Sequence, residues 1–93
     1  MSCKHYKIKV EGKVQGVWFR KYTQEKAQAL NLKGFVRNEP DGSVYIEAEH
    51  ENETILNQLV QWLYRGSPLS EVHTVHVERN AQCQNFKDFR INR

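Results

Sequence analysis

Tyr6, Ile8 and Val10 alternate with Lys7, Lys9 and Glu11, the period-two pattern of a strand with one buried face. Between Thr23 and Leu30 the period changes: Thr23, Ala27 and Leu30 fall on one helical face and Gln24, Glu25, Lys26 and Gln28 on the other, with Gly34 just past the end. Phe35–Asn38 and Val44–Ala48 then flank Glu39-Pro40-Asp41-Gly42, where Pro fixes one backbone angle and Gly permits a positive one, so this stretch predicts a hairpin. From Asn52 to Arg65 the residues Ile55, Leu56, Leu59, Val60 and Leu63 form a continuous helical stripe with Trp62 beside it. Asn52 is placed to accept a free backbone N–H, and Gly66 followed by Pro68 is a natural stop. Val75 and Val77 alternate with Thr74 and His76 in a fourth strand, and Phe89 with Ile91 marks a short last one.

The predicted order is β-α-β-β-α-β with a short extra C-terminal strand. Two helices that each carry one apolar stripe must cover a sheet with one apolar face. The expected class is therefore α+β, a ferredoxin-like two-layer sandwich on a mostly antiparallel sheet. That architecture hosts enzymes, metal carriers and RNA binders, so it names no function.

At 93 residues and 39% hydrophobic content, with two Trp, four Tyr and four Phe, the chain is long enough for one core and too short for two, which predicts a single domain over 1–93. The formal charge of +3 favours anionic ligands in general, and no run of like charges resembles a nucleic-acid-binding arm. Cys3 and Cys83 lie far apart without paired metal-type spacing, which predicts two free thiols and a reducing cytoplasm. The N-terminal segment is polar, and there is no apolar run long enough to cross a membrane. His5, His50, His73 and His76 are scattered. His73 and His76 have a spacing of three within a predicted strand, which places them on opposite faces, so the reading includes neither a metal site nor a cofactor.

The informative segment is Gly12-Lys13-Val14-Gln15-Gly16-Val17-Trp18-Phe19-Arg20, between the first strand and the first helix. Two glycines there let successive backbone N–H groups turn inward around an anion, reinforced by the positive end of the helix dipole. Arg20 at the helix start offers a planar fork of donors to two phosphate oxygens at once. Phe19 is expected to pack inward and Trp18 to rim the pocket.

This segment closely resembles the acylphosphatase signature, with the core Gly-x-Val-Gln-Gly-Val-x-Phe-Arg intact. A second stretch, Gly34-Phe35-Val36-Arg37-Asn38 followed by Asp41-Gly42-Ser43-Val44, resembles the same family's Gly-aromatic-Val-x-Asn and Asp-Gly-x-Val pattern. The likeness continues through Gln61-Trp62-Leu63 and Asp88-Phe89-Arg90-Ile91, closer to the prokaryotic branch. It implies a metal-independent hydrolase of acyl phosphates. It further implies that Arg20 binds phosphate, that the backbone amides of Gln15, Gly16, Val17, Trp18, Phe19 and Arg20 line a cradle, and that Asn38 positions the attacking water. The expected partner is a small acyl phosphate with inorganic phosphate or sulfate as competing anion, the expected state a monomer, and neither nucleic acid nor membrane is expected to bind.

The chemistry agrees with that reading. A mixed anhydride releases a carboxylate, already a good leaving group, so what remains is to neutralise charge on the phosphoryl oxygens and align a water behind phosphorus. Two rivals share the fold: a phosphate-binding module without turnover, and an RNA-binding domain that would stack bases on Phe35 or Tyr45.

Overall fold

The computed structural model describes residues 3–92. The elements are β1 (Lys4–Lys13), α1 (Phe19–Ala29), β2 (Lys33–Asn38), β3 (Val44–His50), α2 (Glu53–Arg65), β4 (Glu71–Glu78) and β5 (Phe89–Ile91). The strands form one sheet in the order β4-β1-β3-β2-β5, antiparallel throughout except for β5, which runs parallel to β2. This is the predicted α+β ferredoxin-like sandwich with its extra edge strand.

The alternation read along the chain is what buries the core. Tyr6 faces Ala48, Ile8 faces Ile46 and Val10 faces Val44 across β1 and β3, and all six are buried. A slip of one residue would turn this whole set to solvent, so the pattern fixes the register. Against that face α2 packs Leu56, Leu59 and Leu63, and α1 packs Phe19 and Ala27, with each large apolar side chain contributing roughly 1.5–3 kcal/mol on burial. The ends of α2 are as expected: Asn52 Oδ1 accepts from Thr54 N–H at 2.9 Å, and Gly66 closes the helix.

Helix α1 begins at Phe19, earlier than the apolar period shows, and ends at Ala29, closed by Leu30 and Asn31 and not by Gly34. Asn31 takes a left-handed conformation (φ 60°), while Asn31 N–H donates to Gln28 O and Leu32 N–H to Ala27 O, a Schellman closure in which Asn does the work usual for Gly. Gly34 instead lies within β2, where a Cβ would stand 1.8 Å from Glu47 O. On β4 the register shifts opposite Glu11 and Gly12, so His73 is an extra residue and Val72 and Val75 both reach the core although three apart. The opposite-face count for His73 and His76 therefore does not apply there.

The free thiols expected from the sequence are a correction: Cys3 and Cys83 are joined by a disulfide spanning 80 residues. Sequence distance misleads because the segment after β4 folds back over the start of β1, with Ala81 N–H donating to His5 O. Beneath it His5 is fully buried between two carboxylates, Nδ1 at 2.7 Å from Glu49 Oε2 and Nε2 at 2.8 Å from Glu47 Oε1, and both ring nitrogens are donors only in the imidazolium form. Glu49 also accepts the backbone N–H groups of Gln84 and Phe86, and Phe86 packs against the rings of His5 and Phe35.

Burial alone would raise the pKa of Glu49, but the Gln84 N–H, His5 and the Phe86 N–H overcome it and hold the carboxyl below its ordinary 4.5. A depressed folded-state pKa gives stability that is complete above the unfolded value and lost as pH falls through the folded one. Glu49→Gln is expected to lower stability by about 2 kcal/mol at neutral pH, with the gap to the parent closing in acid. Thermal melts of both proteins from neutral pH down to pH ~3 check this; a gap that stays constant contradicts it.

Candidate functional site

The turn from β1 into α1 is shaped by alternating backbone angles. Gly16 (φ 73°) and Trp18 (φ 63°) are left-handed, while Gln15, Val17 and Phe19 keep negative φ. Such alternation curls consecutive N–H groups around one point, the geometry of an anion nest. At Gly16 a Cβ would meet nothing within 4 Å, so glycine is needed there for its left-handed angle and not for space.

The nest opens directly onto the N-terminus of α1. Trp18 makes no side-chain cap and the first turn has no acidic residue, whereas α2 has both the Asn52 cap and Glu53. The first N–H groups of α1 and the positive end of its dipole thus have neither a side-chain cap nor an acidic neighbour in the first turn.

Two side chains brace the loop. Gln15 Nε2 donates to Glu39 O and to Ser43 O, both at 2.8 Å, tying the cradle to the β2–β3 hairpin. Ser67, buried at the end of α2, donates from Oγ to Val17 O at 2.8 Å. The hairpin itself is stiffened by Asp41, which accepts from Ser43 N–H, from Ser43 Oγ and from Lys9 Nζ. The Lys9 ammonium, followed by Ser43, holds the Asp41 carboxyl well below the usual carboxylate range.

A cavity of about 480 Å³ brings Gly16, Trp18, Phe19, Arg20 and Asn38 together. Arg20 lies in the first turn of α1, and its guanidinium makes one long hydrogen bond, to Asn92 O at 3.4 Å; among the described residues it has no carboxylate partner. Asn38 ends β2, and its Oδ1 is buried without a hydrogen-bond partner among the described residues. A buried acceptor left open in this way is costly and calls for a donor from a ligand or solvent.

The side chains of Gln15 and Val17 are turned away from the cavity, since the Gln15 side-chain amide bonds the hairpin and Val17 packs into the core. The sequence reading missed the walls formed by Val14, Lys21 and Ile91, and the bracing by the Gln15 side chain and Ser67. Phe19 is buried against Trp62, and Trp18 stands at the rim, both as expected.

Elsewhere, Cys3, Glu49 and Cys83 form a cluster of metal-type ligands, but there the two sulfurs are already bonded to each other. The rings that an RNA-stacking reading requires are half-buried and engaged within the sheet: Arg37 lies 5.6 Å over Phe35 and 4.8 Å over Tyr45, and Phe86 meets Phe35 edge-on.

Fold and site together define a ferredoxin-like α+β domain with a nest-shaped turn at the start of its first helix. The acylphosphatase family profile matches residues 6–91. An acylphosphatase of Bacillus licheniformis is 43% identical over 92% of this chain and 94% of its own length, and one of Pelotomaculum thermopropionicum is 40% identical over 98% of each. The crystal structure of acylphosphatase from Bacillus subtilis superposes with a TM-score of 0.92 at 36% identity, covering 97% of this chain and 99% of that one. The chain belongs to the acylphosphatase family.

Proposed function

We propose that the protein is an acylphosphatase that hydrolyses the carboxyl–phosphate anhydride of small acyl phosphates in the cavity between Arg20 and Asn38. The observation that carries the reading is the juxtaposition of a guanidinium with no carboxylate partner among the described residues, an uncapped helix start behind a nest, and a buried Asn oxygen with no donor among the described residues. The family membership supports the same reaction.

The backbone amides around Gly16–Arg20 and the Arg20 fork hold the phosphoryl oxygens and neutralise the charge that spreads over them. A water donates one hydrogen to Asn38 Oδ1, which orients a lone pair toward phosphorus. Attack forms the new P–O bond in line as the acyl oxygen–phosphorus bond breaks and the carboxylate leaves. Asn is a poor proton acceptor, so the proton lost by water passes to a phosphate oxygen of the substrate. Arg20 and the helix N–H groups supply the positive charge, so the reaction proceeds in excess chelator. Inorganic phosphate or sulfate competes for the cradle, and the whole chain works as one domain and as a monomer.

Asn38→Ala separates these roles. It removes the water-orienting group and also an unsatisfied buried oxygen, so kcat for benzoyl phosphate is expected to fall about 10²-fold. The melting temperature should hold or rise, and inhibition by inorganic phosphate should persist. Loss of activity accompanied by unfolding would overturn the assignment of Asn38.

No helix among the described residues is long and apolar enough to cross a membrane. The cytoplasm stays the proposed setting on a narrower footing, since the disulfide removes the free-thiol argument. Thiol trapping in intact cells followed by mass spectrometry tests it: a pair that is reduced in growing cells supports a reducing compartment, and a bonded pair contradicts one.

A further inference from the structure

The phosphate end of the substrate is accounted for by the cradle, and Trp18 is not. The residue is 73% exposed, the most exposed of the large apolar residues among those described, and it belongs to the same cavity as Arg20 and Asn38. Its backbone is left-handed (φ 63°, ψ 16°), a conformation that the nest requires at this position but that a bulky side chain tolerates poorly. Glycine would satisfy the backbone more cheaply, as it does two residues earlier at Gly16 (φ 73°). An exposed indole on a strained backbone therefore needs a reason lying outside the fold, and strained residues of this kind gather at ligand clamps.

Among the described residues the indole N–H makes no hydrogen bond, and the ring has no place in the apolar core, which is filled on this side by Phe19 against Trp62. What the ring does meet is the cavity, whose walls also include the apolar side chain of Ile91. With the phosphoryl group seated on the nest and Arg20, the rest of an acyl phosphate has to leave the cradle through this cavity.

We propose that Trp18 is a specificity-determining residue that reads the acyl end of the substrate, favouring acyl phosphates with a flat aromatic acyl group that stacks on the indole. The inference rests on the reading of Arg20 and the nest as the phosphate site. Stacked aromatic pairs are stabilised beyond simple area burial, whereas an acetyl group is too small to cover the ring.

The test is the ratio of kcat/KM for benzoyl phosphate to that for acetyl phosphate, measured on the parent, Trp18→Gly and Trp18→Phe. Glycine keeps the left-handed angle without strain, and phenylalanine keeps a ring. The ratio is expected to fall about tenfold in Trp18→Gly and to be largely retained in Trp18→Phe. A parent-like ratio in Trp18→Gly overturns the proposal while leaving the phosphate site intact, and so does an equal loss on both substrates, which marks a structural role. A folded parent that turns over neither substrate overturns the phosphate-site reading itself, and the inference with it.

Discussion

Arg20→Ala is expected to lower kcat/KM for benzoyl phosphate by at least about 10³-fold while leaving the fold in place. The guanidinium is the one side-chain cation at the cavity with a planar fork, it has no carboxylate partner among the described residues, and its contact to Asn92 O is long. Little native structure depends on it, so the melting temperature should move by no more than a surface substitution usually allows, about 0.5 kcal/mol in stability. Arg20→Lys should recover little of the loss, because a single ammonium cannot bridge two phosphoryl oxygens in fixed geometry. Parallel kinetics and thermal melts check both statements. Near-parental activity in Arg20→Lys would show that charge alone suffices at this position.

The opposite dissociation is expected for Cys3→Ser/Cys83→Ser. A link that closes some 80 residues restricts the unfolded chain enough to contribute about 4 kcal/mol in the chain-entropy account, which corresponds to a fall of roughly 15–30 °C in melting temperature. The turnover number should be nearly unchanged. Cys3 lies at the start of β1 and the nest follows its end, so ten residues of extended strand, roughly 30 Å, separate them. The segment that the disulfide secures is also held by Glu49 and by Phe86 packing, which keeps its position near the native one in the folded protein. Excess dithiothreitol on the parent should reproduce the loss of stability. A large drop in activity with unchanged melting would mean instead that the disulfide acts on the site.

These two variants separate a site residue that was legible in the sequence from a fold constraint that was not. Local periodicity sufficed for elements that bury one face: Tyr6, Ile8 and Val10 in β1, and the stripe of α2 between Asn52 and Gly66, were readable because their partners need only be apolar. Arg20 and Asn38 came from motifs, and the structure places them on one cavity although 18 positions apart.

What escaped depends on long-range geometry. The pairing of Cys3 with Cys83 follows from a polar segment crossing the sheet, and that segment has no period to read. The Gln15 side chain is set by where the β2–β3 hairpin lies, and the extra residue His73 by the register of β4 on β1. The motif put Arg20 at the start of α1, but the apolar period did not show it, because Trp18, Phe19 and Tyr22 break the spacing: one faces the cavity, one the core and one the surface.

The most direct test of the account is hydrolysis of benzoyl phosphate by the parent protein in ¹⁸O-labelled water with excess chelator. Rapid turnover with the label appearing in inorganic phosphate and absent from benzoate is the predicted result, since it requires water to attack phosphorus. Label in the benzoate, or no turnover by the folded protein, would contradict it.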